Sequence, residues 1–406
     1  MPRPLLATIV LSLSSAIACG DEPTKTEPAF VAEFKALQKQ ALEAQQKLIA
    51  ESIKAEQAAK TNEEREKLGA RSMAEQKKLM APYCEKAVAL VRPNATDPAA
   101  VPALVWVLPL SGGSMAGEEA AALLTKHHPV HPDVLMLARR AMTNPHPWVV
   151  PLLRTQLVHP DLPKDWRMNT LRGLAGALRT LAEMPGELAN TTDTQAEYWA
   201  TQYGKETVEG WKKIDVAKAE AEAIKAFEEL ADKHGSEEVI KGLTCGEFAR
   251  SSVFAIKNLT VGKVAPDIEG EDLDGVKFKL SDYKGKVVVV TFWAKWCGAC
   301  LVMAPREREL ADRMTDRPFV LIGVNGDPEK KGLAEVMAQH KINWRSFWAG
   351  EKGPAGPIPT AWNVNQWPTT YLIDHTGVIR AKNAFGTKLD ERTEEWVKKA
   401  EVAVKK

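Results

Sequence analysis

The stretch that decides the fold runs from Lys286 to Arg306 and reads KVVVVTFWAKWCGACLVMAPR. Its first part, Val287–Trp293, is a nearly unbroken run of β-branched and aromatic residues, which is typical of a strand buried on both faces of a parallel sheet. Trp296-Cys297-Gly298-Ala299-Cys300 follows directly, and a helical pattern returns over Leu301–Arg313. The sequence therefore predicts a buried strand that turns into a helix, with two cysteines at the turn.

The position of the two cysteines favours an ionised thiol. The first turn of a helix has unpaired N–H groups and the positive end of the helix dipole. A thiolate there is stabilised, so its pKa falls below the free value of about 8.5. We expect Cys297 to be the exposed attacking thiol and Cys300, nearly one turn further, to be the resolving thiol. Trp296 would shield the pair and offer a flat apolar surface to a partner.

The alternative for this spacing is a structural zinc site, because such sites also use CxxC. Zinc normally needs four ligands, and the chain has no second CxxC: the other cysteines are Cys19, Cys84 and Cys245. A strand, a CxxC and a helix in succession are the context of a redox pair. We therefore predict a redox pair that needs neither a metal nor another cofactor.

Several segments resemble one protein family. TFWAKWCGAC resembles the active site of thioredoxin-fold proteins, and the C-terminal third, residues 261–406, resembles the TlpA-type thiol–disulfide oxidoreductases of the redoxin superfamily. VGKVAPDIEGEDLDGVKFKLSDYKGK is similar to the N-terminal β-hairpin of that branch, with Asp274-Gly275 as the tight turn. Phe319–Val324 is similar to its second parallel strand, and WPTTYLID, which starts at Trp367, to the segment that carries its cis-proline.

The resemblance implies a thioredoxin-like α/β domain with a central mixed sheet and a Cys297–Cys300 redox disulfide. Pro368 would be the cis-proline that faces this disulfide, and Trp367 and Thr369 would contact the bound partner. The partners would be protein thiols and disulfides, together with a protein that recharges the cysteine pair by exchange.

The chain departs from the family at three positions. Thr291 stands where thioredoxins commonly carry a buried acid that assists the resolving cysteine, which puts efficient general reduction in doubt. Ala299 replaces the proline often found between the cysteines. Trp367 is bulkier than the residues common before the cis-proline, and we expect it to narrow the range of partners.

The N-terminus, residues 1–19, is predicted to be an export signal. Arg3 supplies positive charge, Leu5–Ala18 is apolar but shorter than the roughly 20 residues of a membrane span, and Ala16-Ile17-Ala18 is a cleavage site of small residues. Ala-Ile-Ala-Cys also resembles a lipoprotein lipobox, without its usual leucine three residues before Cys19. Lipidation of Cys19 and simple cleavage both stay open. Either leads to the cell envelope or periplasm, with a lipid as the only membrane attachment.

The remaining chain is long enough for further domains, and its charge excludes one class of partner. It has 406 residues and a net charge of +1, from 54 basic and 53 acidic side chains, so nothing points to nucleic acid. Residues 20–82 are predicted to be a tether and a long charged helix that begins at Phe30. A heptad seam along this helix favours a coiled coil or a homodimer stalk, or a helix packed on its own domain. The seam comprises Phe30, Phe34, Leu37, Ala41, Ala44 and Leu48.

Residues 83–256 are predicted to be all-helical, with proline, glycine and Asn or Asp between the helices. Short helices in succession suggest a solenoid, although no strict repeat is present. The sequence does not decide whether this helical region binds proteins or is a structural spacer. The predicted helices are Pro98–Leu110, Gly117–Lys126, Pro132–Met142, Trp148–Val158, Trp166–Met184, Thr194–Leu230 and Ser236–Ile256.

The cysteines and histidines of this helical region raise two side questions. Cys84 and Cys245 lie at its opposite ends, and a disulfide between them stays open because sequence cannot show whether they come within reach. The histidines suggest either a metal site or ordinary residues at proline-rich helix ends. No acidic residue completes a ligand spacing, so we predict no metal. These histidines are His127, His128, His131, His146 and His159.

In the C-terminal third, an insertion precedes the Pro368 segment. It contains a helix at Leu333–His340, a short strand at Trp344–Trp348 and a surface loop at Ala349–Pro359. A final hairpin, formed by Tyr371–Asp374 and Val378–Ala381, precedes a closing helix at Asp390–Val404.

These features predict an exported thiol–disulfide oxidoreductase with a helical domain. A thiol peroxidase is a second hypothesis, because the hairpin and LSDYKGKVVVV also resemble peroxiredoxins. Peroxiredoxins use Pro-x-x-x-Thr-x-x-Cys, whereas Cys297 has Thr291 six residues before it and no such proline. A third hypothesis is a non-enzymatic envelope scaffold that binds partners through its helices.

Overall fold

The computed structural model describes residues 28–58, 62–111, 113–191, 193–240, 243–364 and 366–404. The predicted export signal, Cys19 and most of the tether lie outside these ranges. Within them, no helix combines the length and the apolar character that crossing a membrane requires.

The chain forms two compact units. The first contains the described residues up to Leu174 together with Glu197–Gly210, and the second contains Ala175–Ala196 and Trp211 onward. This division differs from the predicted boundary near residues 256–261. The reason is that residues from the predicted helical domain pack with the sheet: Glu183 forms an ion pair with Lys382, with Nζ and Oε1 3.2 Å apart.

The helices of both regions follow one another with short connections. We number them in chain order, and α7, α8 and α9 each contribute residues to both units. They are α1 Ala29–Ala58, α2 Asn62–Val91, α3 Val101–Ser111, α4 Met115–His127, α5 Pro132–Arg140, α6 Val149–Val158, α7 Lys164–Ala189, α8 Asp193–Tyr203, α9 Lys205–Trp211, α10 Val216–His234 and α11 Cys245–Asn258.

The predicted long N-terminal helix is two helices, α1 and α2, that pack within the first unit. Phe30 and Phe34 of the heptad seam are buried beside Cys84 and Ala87 of α2, and the Phe34 ring meets Trp106 edge-on at 5.6 Å between centroids. The open alternative of a helix packed on its own domain is therefore the observed one. The same burial leaves the proposed homodimer through this seam without support.

Two parts of the region predicted as helical are wrong in detail. Thr194–Leu230 is interrupted at Gly204, whose φ of +87° is not helical, and again between Trp211 and Val216. Residues Glu238–Ile240 (β1) and Leu243–Thr244 (β2) form a small antiparallel hairpin. Helix α11 begins only after it, where the side chain of Thr244 caps the N–H of Glu247 and the Glu247 carboxylate accepts from the N–H of Thr244.

The C-terminal part of the second unit is the predicted α/β domain, built on a mixed five-stranded sheet in the order β7-β6-β5-β8-β9. Strand β5 pairs parallel with β6 and antiparallel with β8. A separate hairpin, β3–β4, precedes the sheet and turns at Gly275, where φ is +83°. The strands are β3 Glu269–Glu271, β4 Lys277–Lys279, β5 Val287–Trp293, β6 Phe319–Asn325, β7 Ser346–Trp348, β8 Thr369–Ile373 and β9 Ile379–Lys382.

Every residue of β5 is buried, as its apolar composition predicts. Its odd-numbered residues, such as Val289, pack with α12 (Gly298–Arg313) and α15 (Gly386–Val404). Its even-numbered residues, such as Val290, pack in a second core on the opposite face. The predicted helix Leu333–His340 is present as α13. The predicted surface loop Ala349–Pro359 instead contains a 3₁₀ turn, and helix α14 (Pro357–Ala361) begins within it.

Candidate active site

The two cysteines lie where β5 ends and α12 begins. Cys297 is the N-cap residue of α12, and its Sγ accepts a hydrogen bond from the backbone N–H of Cys300 at 3.2 Å. The Cys297 and Cys300 sulfurs form a disulfide, with Cα atoms 5.3 Å apart. A helix N–H therefore points at the sulfur that the sequence predicts to ionise, which is the arrangement that lowers a thiol pKa.

The prediction that Cys297 is exposed does not hold in this disulfide form. Cys297 is 6% exposed and Cys300 is 5% exposed, so neither sulfur is much more accessible than the other. Both belong to the core cluster between the sheet and α12, because the disulfide joins Cys297 to the buried face of the helix.

An aromatic pair borders the disulfide loop. Trp296 is 50% exposed, and its ring meets that of Trp367 edge-on with centroids 5.4 Å apart. Trp367 also meets Phe292 of β5, at 6.2 Å. Trp296 thus presents an apolar surface beside the cysteines, as the sequence predicts. The ring of Trp367 packs against the ring of Trp296.

The segment before β8 brings the other predicted residues to the same region. The Trp367–Pro368 peptide bond is cis, and Thr369 and Thr370 are buried at the start of β8. Thr370 is paired with Thr291 of β5. Thr369 Oγ1 donates to the carbonyl oxygen of Gln366 at 2.8 Å, so its side chain stabilises the turn that contains Pro368.

Asp327 is a site residue that the sequence analysis missed. It is fully buried, and its Oδ2 accepts from the backbone N–H of Lys295 and from Nδ2 of Asn325, both at 2.9 Å. It therefore fixes the turn that leads into Cys297. One sequence signal pointed to it. Asn325-Gly326-Asp327 directly follows the predicted strand Phe319–Val324, and the carboxyl ends of parallel strands meet at the same edge of a sheet, where the cysteines also lie.

Glu307 is a second missed residue. Thr291 Oγ1 donates a hydrogen bond of 2.9 Å to Glu307 Oε1, and both residues are buried. Burial raises the pKa of Glu307 to about 7, and the hydrogen bond from Thr291 partly opposes this rise. The chain thus does place a buried acid at Thr291, but that acid comes from α12, so no residue of the strand could reveal it.

Two of the histidines and both remaining cysteines of the helical region have local surroundings that the structure describes. His131 and His159 accept from the backbone N–H groups of Asp133 and Asp161. Across the described ranges, no group of three or more His, Cys, Asp or Glu side chains could hold a metal ion. Cys84 and Cys245 are buried thiols, and the disulfide left open between them is not formed.

Comparisons with known proteins agree with this site. The AhpC/TSA family model matches residues 261–382. The thiol-disulfide oxidoreductase ResA of Bacillus thuringiensis subsp. konkukian (strain 97-27) is 30% identical over 143 residues, which are 35% of this chain and 80% of ResA. The thioredoxin-like protein YneN of Bacillus subtilis (strain 168) is 34% identical over 121 residues, which are 29% of this chain and 68% of YneN.

Among solved structures, a putative thiol:disulfide interchange protein DsbE from Chlorobium tepidum is 28% identical. The match covers 35% of this chain and 97% of that one, with a TM-score of 0.31.

A buried parallel strand, a CxxC disulfide at the N-terminus of the next helix and a cis-proline before β8 define a thiol–disulfide oxidoreductase with a thioredoxin-like domain. Through its C-terminal third, the chain belongs to the ResA-type thiol–disulfide oxidoreductases, within the AhpC/TSA family.

Proposed function

We propose that this protein is an exported enzyme that exchanges disulfides with protein partners through Cys297 and Cys300. The observation that carries the proposal is the hydrogen bond from the Cys300 N–H to Cys297 Sγ at the start of α12. A donor and a helix dipole directed at this sulfur stabilise its thiolate once the pair is reduced, so Cys297 is the attacking residue.

The exchange takes two steps. The Cys297 thiolate attacks a partner disulfide, forms a mixed disulfide and releases one partner sulfur as a thiolate. The Cys300 thiolate then attacks Cys297 Sγ, which forms the Cys297–Cys300 bond and releases the second partner sulfur. The partner gains two electrons and the enzyme loses two, so a reductant with an equivalent dithiol must recharge it. The reverse sequence oxidises the partner.

The surface that binds the partner chain comprises Trp296, Trp367, Pro368 and Thr369. The exposed Trp296 ring supplies apolar contact area. Pro368 lacks an N–H, so it cannot donate to the thiolate and lower its reactivity. The backbone around Trp367 and Thr369 offers the polar groups that an extended partner segment could bind.

The proposed location is the cell envelope. It rests on the N-terminal pattern of Arg3, the apolar Leu5–Ala18 and the small residues before Cys19. A lipid on Cys19 would hold the enzyme at the membrane. Replacing Cys19 with Ser and following incorporation of a labelled fatty acid distinguishes lipidation from simple cleavage.

The helical regions before the thioredoxin-like domain are proposed to bind partners or to space the domain from the membrane. Both roles, partner binding and spacing, are proposed for residues 20–82 and for residues 83–256. Deletion is a poor test, because Glu183 and Glu187 pack on the sheet domain. Surface substitutions on α1 and α4 are the better probes.

The test is a trapping experiment in the native compartment. The Cys300→Ser variant should accumulate mixed disulfides between Cys297 and partner proteins, which dissociate in dithiothreitol. Cys84→Ser is the matched control, because Cys84 is a buried thiol that is not part of the CxxC, and it should trap nothing. If Cys300→Ser traps no partner, the exchange function is wrong and the scaffold hypothesis gains.

A second measurement gives the direction and tests the peroxidase hypothesis. Equilibration with glutathione buffers yields the reduction potential of the pair. A value near about −270 mV indicates a reductant, and one near about −120 mV indicates an oxidant. Rapid consumption of hydrogen peroxide by the reduced protein, lost in Cys297→Ser, would instead establish a peroxidase.

A further inference from the structure

The C-terminal end of α7 contacts the loop between β9 and α15, residues 383–385. Glu187 Oε1 accepts a hydrogen bond of 3.1 Å from Nδ2 of Asn383. Two residues later, the carbonyl oxygen of Ala189 accepts from Nη2 of Arg392, on α15, at 3.1 Å. A helix of the predicted helical region therefore binds this loop and the helix that follows it.

The same loop is bound to the start of β8. The backbone N–H of Asn383 donates to the carbonyl oxygen of Thr370 at 2.8 Å, and Thr370 Oγ1 donates to the carbonyl oxygen of Ala384 at 2.9 Å. Ala384 is buried in the same core as Cys297. Thr370 directly follows the segment Trp367–Thr369, which contains the cis-proline. Two hydrogen bonds thus join the loop to the chain beside the partner-binding segment.

Asn383 adopts a backbone conformation that needs support. Its φ of +54° lies in the left-handed region, which is uncommon for residues with a side chain, although asparagine tolerates it better than most. The N–H bond to Thr370 restrains its backbone, and the Nδ2 bond to Glu187 restrains its side chain. Loss of the Glu187 bond therefore removes a restraint on the whole loop.

We infer that Glu187 positions the partner-binding segment of the active site, Trp367–Thr369, by holding Asn383 against Thr370. The inference rests on the proposed exchange function. Glu187 is a positioning residue, because it acts through Asn383 and Thr370 rather than on the sulfurs. The end of α7 is then a functional part of the active site, although it belongs to the predicted helical region.

Two kinds of disulfide substrate should respond differently to loss of this contact. A polypeptide partner binds the backbone around the cis-proline in extended form, so a displaced segment slows its reaction. A small disulfide needs only the Cys297 thiolate, which is stabilised by the N–H of Cys300 on α12. Exchange with protein partners should therefore slow, whereas exchange with small molecules should not.

The experiment uses full-length proteins that all carry Cys300→Ser, so that attack by Cys297 stops at the mixed disulfide. Glu187→Ala and Asn383→Gly each remove the hydrogen bond, and glycine accepts a positive φ without strain. In the native compartment, non-reducing gels follow the mixed disulfides with partner proteins while they still accumulate linearly, normalised to the amount of each variant. With the purified proteins, absorbance follows the thiolate released when Cys297 attacks 5,5′-dithiobis(2-nitrobenzoate).

Both variants should trap partners about 5- to 30-fold more slowly than the Cys300→Ser parent. The double variant should be no slower than the slower single variant, because both changes remove the same bond. Glu187→Gln should stay within about two-fold of the parent, since its side-chain oxygen can still accept from Asn383. The reaction with the small disulfide should stay within about two-fold in every variant, which also shows that the variants fold around Cys297.

Asp165→Ala is the matched control, because Asp165 is an exposed acid in the first turn of the same helix. The inference is overturned if Glu187→Ala and Asn383→Gly trap partners as fast as Asp165→Ala. It is also overturned if their reaction with the small disulfide slows as much as the trapping, since the effect would then not be specific to the partner-binding segment. If the Cys300→Ser parent traps no partner, the proposed exchange function itself fails, which is a distinguishable result.

Discussion

The indole of Trp367 lies so close to Gly326 that a β-carbon built at Gly326 would come within 2.3 Å of its Cη2 atom. Gly326 follows β6, whereas Trp367 precedes β8, so this contact holds the two loops together on either side of the β5 terminus. Only a residue without a side chain permits it.

Gly326→Ala should therefore displace the Trp367 ring and disturb the surface beside the cysteines. We expect a loss of about 1–3 kcal/mol in the free energy of unfolding, as for other overpacked sites, and slower exchange with protein substrates. Urea unfolding and a disulfide-reduction assay measure the two effects. Gly186→Ala in helix α7 is the control, because its β-carbon would meet no atom within 4 Å. An unchanged stability for Gly326→Ala would show that the ring moves without cost.

The ion pair between Lys382 and Glu183 should stabilise the packing of α7 on the sheet. The two side chains are 24% and 29% exposed, so solvent screens the pair only in part. Lys382→Met or Glu183→Gln alone should cost about 1–2 kcal/mol, and the double variant should cost less than the sum. Denaturant unfolding of all four proteins gives the coupling. Strict additivity would mean that the pair contributes nothing.

Glu187 predicts a pH dependence of stability. Burial raises its pKa from 4.5 to about 7, and the hydrogen bond from Asn383 opposes the rise. Between pH 4.5 and pH 7, Glu187 is mostly ionised in the unfolded chain but mostly protonated in the folded chain. Stability from this group is therefore complete below pH 4.5 and declines as the pH rises to 7. Relative to Glu187→Gln, the wild type should lose stability across that window, as thermal unfolding at several pH values would detect. Parallel pH profiles for the two proteins would contradict the assignment.

The Cys84 thiol should be unreactive in the folded protein. Burial, with a smaller contribution from Glu85, raises its pKa to about 11, so almost no thiolate exists at neutral pH. Iodoacetamide at pH 8 should label Cys84 only after denaturation, as mass spectrometry would show, whereas reduced Cys297 should react at once. Rapid labelling of Cys84 in the native state would reveal local opening of α2.

The sequence analysis was accurate where one short segment determines its own structure. The apolar run of β5, the helix that starts after Cys297 and the turn at Gly275 each depend on neighbouring residues. The central mixed sheet could be predicted because TFWAKWCGAC and WPTTYLID resemble segments of a known fold. The cis bond at Pro368 was expected for the same reason.

The errors arose where distant residues decide the outcome. A heptad seam cannot say whether its partner is another chain or, as observed, the chain's own helix α2. The packing of α7 on the sheet involves contacts of its Glu183 and Glu187 with Lys382 and Asn383, which are almost 200 residues further along the chain. In the sequence, Glu307 is one of four consecutive charged residues, Arg306–Glu309. Its burial follows only from the packing of α12 on β5, where Thr291 donates to it.

The contact between Asp327 and the Lys295 N–H has a consequence for protein engineering. The hexapeptide KWCGAC does not hold its own conformation, because the N–H of its first residue, Lys295, is bound by the carboxylate of Asp327. Asp327 is 32 residues further along the chain, in the loop after β6. A designer who moved the hexapeptide to another scaffold would transfer the sulfurs without their anchor. A graft that also carried Asn325-Gly326-Asp327 would transfer the anchoring group as well.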